Sequence, residues 1–371
     1  MSTRVIKVAG ADQIPPAARK GAKALRAGKL VAFATETVYG LAAAADRPEA
    51  MARLRRIKDR PSRPFTVHVP APEAAERYVR PLPSQADRLI GRCWPGPVTV
   101  LLATGGRLAE DALDGAGLGQ VLCLGGVIGL RCPDEPTAAA TLAGVSSPVV
   151  AASANPAGGA SPRTADAVLA ALDGQIDLVI DSGPARLGAD STIVRFGEES
   201  WQMVRPGPWD EQMIRRAIRR RILFVCTGNT CRSAMAGGLA KTIWAEMHGC
   251  RVGALRGRGL EVATAGVFAS VGAKATPDAV QAAKALGADI SRHRSRPLSP
   301  ELIASADAVF CMTERHAAQV RALVPSAGNK VKRLDRRTDI PDPIGGGFEI
   351  YRQTAEHIAD AVRERLSKGI P

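Results

Sequence analysis

The sequence predicts two α/β units in tandem: a strand-rich, twisted α/β sheet over residues 1–207 and a doubly wound parallel sheet over 222–371, with a basic linker at 208–221. Three observations lead there. At 371 residues the chain exceeds one typical domain. Its first part strings short apolar, β-branched runs between Gly and Pro residues. Its second part alternates such runs with stretches of helical spacing, the pattern of a parallel sheet covered on both faces.

In the first unit "KLVAFAT" (29–35) and "FTVHV" (65–69) read as strands, with "PEAMARLRRIK" (48–58) as a helix between them. "VTVLLA", "VIGLR", "PVVAAS", "DLVIDSG" and "STIVRF" follow as further strands. "VRPGPWDEQMIRRAIRRR" (204–221) marks the boundary: Pro206, Gly207 and Pro208 close one unit, and a run of arginines before the next strand reads as a short basic helix joining the two. The second unit reads as strand 222–226, helix from about 232, strand 261–265, helix 277–286, strand 307–312 and a final helix over 349–367. Tyr351, Ala355, Ile358, Val362 and Leu366 give that last helix one apolar face.

Apolar residues at 46% and charged residues at 23% argue against a disordered chain. The start, "MSTRVIKVAGAD", carries no apolar leader, and no apolar run reaches membrane-spanning length. Seven scattered cysteines suit a reducing compartment. A cytoplasmic protein without a membrane partner is expected. The net charge of +14, concentrated after residue 207, attracts phosphate-bearing partners such as nucleotides, RNA or phosphoproteins, and does not choose among them.

"RILFVCTGNTCRSAMA" (221–236) ends a strand at Cys226 and begins a helix near Arg232. In a doubly wound sheet, ligands sit beyond the carboxyl ends of strands, near helix N-termini. The loop Thr227, Gly228, Asn229, Thr230 and Cys231 would aim backbone N–H groups at an anion, and Arg232 would clamp a phosphate with its planar fork. Cys226 would then be a nucleophile, with Ser233 serving the departing sulfur and Asn229 bracing the loop. Cleaving a phosphate ester also needs a proton donor, and Asp342 in "DIPDPIGG" sits on a Pro/Gly loop. Taken singly, Cys-x5-Arg fits a structural cysteine as well, and Asp342 fits an ordinary turn.

The first unit holds a different set. Thr35 follows a strand in "TETVYGL"; Lys58 and Arg60 stand two apart, so an extended segment would turn both to one site. Ser153 and Asn155 end another strand, and Ser161 lies in the Gly-rich loop beyond. His68 alternates with Val67 and Val69, which points it to the opposite face from them. Paired cations with small hydroxyl and amide groups suit a triphosphate. Each fragment alone reads as surface or turn residues, and none is a Walker A or GxGxxG loop.

In combination, "TETVYGL", "KDRP…VHV", "CWPGPVTV", "GLRCP", "SANPAGGASP", "GADSTIV" and "VRPG" resemble the YrdC-type threonylcarbamoyl-AMP synthases over roughly 12–207. The resemblance implies a YrdC-like fold and condensation of L-threonine, bicarbonate and ATP, with Mg²⁺, into threonylcarbamoyl-AMP and diphosphate. It implies Thr35, His68, Arg131 and Ser191 at threonine, and Lys58, Arg60, Ser153, Asn155, Ser161 and Arg205 at ATP and bicarbonate. The product would pass to a tRNA threonylcarbamoyl transferase. Two departures from the pattern are Ala34 in "FATET" and the shorter "RPSRPF" with Arg63.

Over 221–367, "CTGNTCRS", "TAG", "GADISRHRSRPL", "VFCMT" and "DIPDPIGG" resemble the low-molecular-weight protein phosphatases. That implies a flavodoxin-like fold and a metal-free cysteinyl-phosphate route, with Cys226 as nucleophile, Arg232 as clamp and Asp342 as acid. Thr230, and Ile344 in place of an aromatic residue, resemble the protein-arginine-phosphatase branch, whose substrate is phosphorylated protein. The alternative is a non-catalytic RNA-binding module followed by a phosphotyrosine phosphatase, with the basic surface open to RNA contact.

Overall fold

The computed structural model describes residues 2–104, 118–197 and 200–367. The chain forms two compact units, divided between Ile218 and Arg219.

The first unit is built on one mixed sheet. Its strands are Arg4–Lys7 (β1), Val31–Phe33 (β2), Gly40–Ala44 (β3), Thr66–His68 (β4), Val98–Ala103 (β5), Cys123–Leu124 (β6), Val127–Arg131 (β7), Val149–Ser153 (β8), Leu178–Asp181 (β9), Thr192–Phe196 (β10) and Trp201–Arg205 (β11). The spatial order is β1-β9-β2-β3-β8-β4-β7-β5-β10-β11, with β6 paired to β7. Successive side chains point to opposite faces, and both faces are covered. Val31, Phe33 and Ala42 pack with Leu25 of α1 (Ile14–Arg26) and Leu142 of α5 (Pro136–Ala143). Ala32, Leu41 and Ala43 pack on the other face with Leu54 of α2 (Pro48–Ile57), Leu89 of α3 (Ser84–Cys93), Leu122 of α4 (Leu118–Leu122) and Val168 of α6 (Ala165–Leu172).

The basic segment at 208–221 holds the expected short helix, and that helix packs into the first unit. Asp210 caps a helix, α7 (Glu211–Ala217), by accepting from Met213 N at 2.8 Å. Ile214, Ala217 and Ile218 recur at helical spacing and are buried in the first unit's core. From α3, Arg88 Nε donates to Ile218 O at 2.8 Å, and Arg92 donates to Ala217 O. Arg220 and Arg221 already belong to the next strand. The helix is amphipathic, and its apolar residues dictate where it packs.

The second unit has four parallel strands, Arg220–Cys226 (β12), Leu260–Gly266 (β13), Ala308–Cys311 (β14) and Val331–Arg333 (β15), in the order β13-β12-β14-β15. Ile222 and Phe224 face α8 (Arg232–Met247), α9 (Pro277–Ala285) and α12 (Phe348–Ser367); Leu223 and Val225 face α10 (Pro300–Ser305) and α11 (Glu314–Leu323). Helices on both faces of a parallel sheet make it doubly wound, and β12 occupies the point where the strand order reverses. Among the described residues no helix is long and apolar enough to cross a membrane.

Candidate functional sites

In the first unit the tight turn between β2 and β3 is closed by Thr35, whose hydroxyl donates to Val38 O at 2.7 Å. The turn aims the buried Thr35 and Thr37 hydroxyls at the end of β7. There Arg131 NH2 meets Glu36 Oε1 at 2.9 Å, Thr37 Oγ1 at 2.5 Å and Thr35 Oγ1 at 3.3 Å. The Arg131–Glu36 pair is buried, and the second carboxylate oxygen of Glu36 accepts from Asp134 N at 2.9 Å. Arg131 Nε is buried without a partner among the described residues. A buried unmet guanidinium N–H is costly unless a ligand supplies the acceptor.

Parallel pairing of β4 with β7 sets His68 beside Arg131. His68 Nδ1 lies 3.1 Å from Thr66 O, and a carbonyl can only accept, so Nδ1 carries the proton and Nε2 is left as an acceptor. Burial first, and Arg131 second, push the imidazole down to about 3, so it is neutral at physiological pH.

Lys58 and Arg60 do reach the same cavity, but not from an extended segment. Helix α2 ends at Lys58, Asp59 takes a left-handed φ of 42°, and Arg60 N returns to Arg55 O at 3.0 Å. This helix-terminating turn brings the chain back on itself. Lys58 Nζ then lies within 2.7–3.3 Å of Ser153 O and Oγ and of Asn155 O and Oδ1. Burial, then Arg60, bring it down to about 8, against an opposing pull from Asp190. Across the cavity Asp190 accepts from Ser161 Oγ at 2.9 Å and pairs with Arg205 NH1 at 3.4 Å. Arg205 NH2 also donates to Ser191 O at 2.8 Å. Gly207 lets this segment close: a Cβ there would lie 2.4 Å from Thr192 N.

All ten residues singled out in this unit, from Thr35 to Arg205, line one cavity of about 390 Å³. Among the described residues it presents Lys58, Arg60, Arg131 and Arg205 against a single lining carboxylate, Asp190. Such a pocket is short of negative charge.

In the second unit Cys226 ends β12 and Arg232 begins α8, with the loop between them wrapped inward. Asn229 N donates to Cys226 Sγ at 3.3 Å, and Ser233 Oγ lies 2.9 Å from it. Asn229 Nδ2 donates to Ser233 Oγ at 2.8 Å, so the serine proton is left for the sulfur at 2.9 Å or for Ala265 O at 3.5 Å. Both groups are placed to hydrogen-bond a thiolate at Cys226. Asn229, at a φ of 56°, is held by His293 Nε2 on its carbonyl at 2.6 Å and Arg296 N on its Oδ1 at 3.0 Å. Gly266 allows β13 to abut the loop, since a Cβ would lie 2.4 Å from Thr227 O.

Arg232 is buried, donates from NH1 to Ile340 O at 3.1 Å and pairs through NH2 with Asp342. The clamp and the expected acid are therefore in contact. Among the described residues Thr230 Oγ1 meets only Cys231 Sγ, at 3.7 Å. Cys231 Sγ lies 3.4 Å from Thr276 Oγ1 and 3.5 Å from Tyr351 Oη, in a packing role. Ile344 is exposed, at 71%.

Residues 23–207 match the model of the Sua5/YciO/YrdC family, described as telomere recombination, and residues 221–369 match that of low molecular weight phosphotyrosine protein phosphatases. The chain is 40% identical over 148 residues to the protein-arginine-phosphatase of Bacillus subtilis (strain 168), covering 38% of this chain and 92% of that one. It is 35% identical over 207 residues to the threonylcarbamoyl-AMP synthase of the same organism, covering 55% of this chain and 57% of that one. The chain belongs to both families. Both are families of enzymes. A Sua5 structure from P. abyssi, carrying two substitutions, aligns at a TM-score of 0.50 and 29% identity, over 62% of this chain and 72% of that one. The Sua5/YrdC unit thus spans little more than half of the Bacillus synthase it matches.

Sequence reasoning missed three residues that touch these sites. Asp190 stood inside a quoted motif, "GADSTIV", but only Ser191 was singled out; its signal was a lone carboxylate among cations. Glu36 lies beside Thr35, and its role depends on Arg131, 95 residues away. His316 had no sequence signal, because its partner Thr227 is 89 residues distant.

Proposed function

We propose that the chain is bifunctional: its Sua5/YrdC unit forms threonylcarbamoyl-AMP from L-threonine, bicarbonate and ATP for tRNA modification, and its phosphatase unit hydrolyses phosphorylated protein side chains, phosphoarginine preferred. The observation that carries the first part is the cavity itself, in which four cations face one carboxylate beside an unpaired Arg131 Nε. Lys58, Arg60 and Arg205 suit a triphosphate. The threonine carboxylate is the acceptor that Arg131 Nε lacks, and His68 Nε2 can accept from the threonine hydroxyl. Bicarbonate condenses with the threonine amine with loss of water, and the resulting carbamate oxygen attacks the α-phosphorus as diphosphate leaves. Developing charge on the diphosphate is met by cations already in place. Among the described residues no cluster of three His, Cys, Asp or Glu side chains could hold a metal, so Mg²⁺ would be held mainly by the nucleotide's own phosphates, with Asp190 as the carboxylate on offer. The product's consumer is a tRNA threonylcarbamoyl transferase. Release of diphosphate from ATP that requires both threonine and bicarbonate tests this reading; release without threonine, or none, refutes it.

Lys58 gives the reaction a pH dependence. With a value of about 8 in the free protein, it is mostly charged at pH 7 and mostly neutral by pH 9. ATP favours the charged form, so binding takes up a proton and affinity falls as pH rises through 8. Titrations of ATP binding from pH 6.5 to 9.5 should show up to about tenfold weakening per unit at the alkaline end. Lys58→Arg should flatten the curve.

In the phosphatase unit Cys226 attacks phosphorus, Arg232 holds the phosphoryl oxygens, and Asp342 protonates the leaving group. Preference for phosphoarginine is supported by Thr230, whose hydroxyl has no strong partner among the described residues, and by Ile344 standing where it supplies no aromatic wall. A guanidinium leaving group brings N–H donors that such a hydroxyl can accept; a phenyl ring does not. Thr230→Ile keeps the branched shape and removes the acceptor. Parallel kinetics on phosphoarginine and phosphotyrosine peptides should show the parent favouring the former in kcat/KM. The variant should shift the ratio by about 10- to 100-fold toward phosphotyrosine. An unchanged ratio would leave a phosphotyrosine enzyme.

A further inference from the structure

His316 is a buried histidine in the phosphatase unit that the reaction as described leaves idle. It lies in the first turn of α11 and is 5% exposed. Its Nε2 is 2.9 Å from Thr227 Oγ1, and its Nδ1 is 2.8 Å from Thr313 Oγ1. Thr313 also caps α11 by accepting from His316 N at 3.2 Å, so the imidazole is fixed at its backbone and at both ring nitrogens. Thr227, the residue after Cys226, accepts in turn from Arg232 NH2 at 3.3 Å, because a guanidinium only donates. The chain of contacts runs from a helix cap, through an imidazole and a loop hydroxyl, to the clamp.

Burial, and then Arg232, push His316 down to about 4; Asp342 and Asp339 pull the other way, and Arg315 adds to the push. The ring is therefore neutral at pH 7. The arrangement that gives the Thr227 proton a partner inside the protein has the hydroxyl donating to Nε2 and Nδ1–H donating to Thr313 Oγ1. That orientation turns an oxygen lone pair of Thr227 toward Arg232. Without the imidazole, the hydroxyl of an exposed threonine is free to rotate, and its proton can face the guanidinium. Arg232 would then keep Ile340 O and Asp342 as its remaining partners.

We infer that His316 is a positioning residue for the phosphate clamp, acting through the Thr227 hydroxyl to hold Arg232 where a phosphate in the Cys226 loop will meet it. The inference rests on the phosphatase reading and deepens it. It differs from a packing role in a checkable way: its effect must pass through Thr227 and must appear in phosphate binding.

The test is a double-mutant cycle in the full chain with His316→Ala, Thr227→Val and the pair, measured as KM and kcat for p-nitrophenyl phosphate and as inhibition by inorganic phosphate. Each single change should weaken phosphate inhibition and raise KM about tenfold, the worth of one hydrogen bond to a charged group, while kcat moves less. The pair should be no worse than the more damaging single change. His316→Gln, which keeps an acceptor near the Nε2 position, should recover most of the loss, and it carries the comparison should the alanine variant fold poorly. Additive losses in the pair, or a fall in kcat with phosphate inhibition untouched, would overturn the inference. A parent that neither hydrolyses p-nitrophenyl phosphate nor binds phosphate would remove the phosphatase reading beneath it, an outcome distinct from both.

Discussion

Cys226→Ser is expected to reduce hydrolysis of p-nitrophenyl phosphate to background, a loss on the order of 10⁴-fold or more, as removal of a nucleophile does in other covalent enzymes. The site is built around sulfur. Asn229 N and Ser233 Oγ converge on Sγ at 3.3 and 2.9 Å, and a serine hydroxyl there would stay protonated and present a shorter, harder nucleophile. Cys231→Ser should be mild by comparison, because that sulfur packs against Thr276 and Tyr351. Asp342→Asn separates the acid from the nucleophile. It should slow a poor leaving group by about 10²- to 10⁴-fold and p-nitrophenyl phosphate little, since only the former needs a proton. Equal slowing of both substrates would instead assign Asp342 to holding Arg232, with which it is paired. A harmless Cys226→Ser beside a dead Cys231→Ser would overturn the assignment.

The second large effect is expected at Arg60. Lys58→Ala and Arg60→Ala should each cost on the order of 10²- to 10³-fold in threonylcarbamoyl-AMP formation and leave the phosphatase rate unchanged, because each removes an oriented cation from a triphosphate site. The two are not equally clean. Lys58 also ties down the Ser153–Asn155 segment through four contacts, so its loss disturbs the pocket wall. Arg60 is held only by the face of Phe65, 5.3 Å from the ring centroid, and by no ion pair among the described residues. A loss in Arg60→Ala with an unchanged melting temperature therefore reports on catalysis alone. Arg131→Ala would be harder to interpret, since it strands the buried Glu36 carboxylate, a change that typically costs about 3–5 kcal/mol of stability. Full activity in both Lys58→Ala and Arg60→Ala would remove the proposed ATP site.

The strands that carry the sites were legible because burial on both faces writes continuous apolar runs: 98–103, 127–131 and 222–226 are of this kind. β3, "GLAAA", was not, as alanines and a glycine have no strand preference; β2 and β8 on either side impose the conformation. The helix within 208–221 was legible, but its packing was not, because charge hid a three-residue apolar stripe. Cys226 and Ser153 were readable because each ends a strand; Arg131, which also ends one, was singled out only by the family resemblance. What could not be read was which of them touch. The Arg131–Glu36 pair, the Asp190 bridge between Ser161 and Arg205, and the His316–Thr227–Arg232 chain join residues far apart in sequence through pairings that only the sheet order creates.

Product analysis tests the central claim most directly. The full chain is supplied with ATP, threonine and isotopically labelled bicarbonate, and the nucleotide products are resolved by mass spectrometry. The account predicts an adenylate whose mass includes threonine and the labelled carbon, formed in step with diphosphate and absent when threonine or Mg²⁺ is omitted. An adenylate without the label, or ATP left intact beside tight RNA binding, would contradict it.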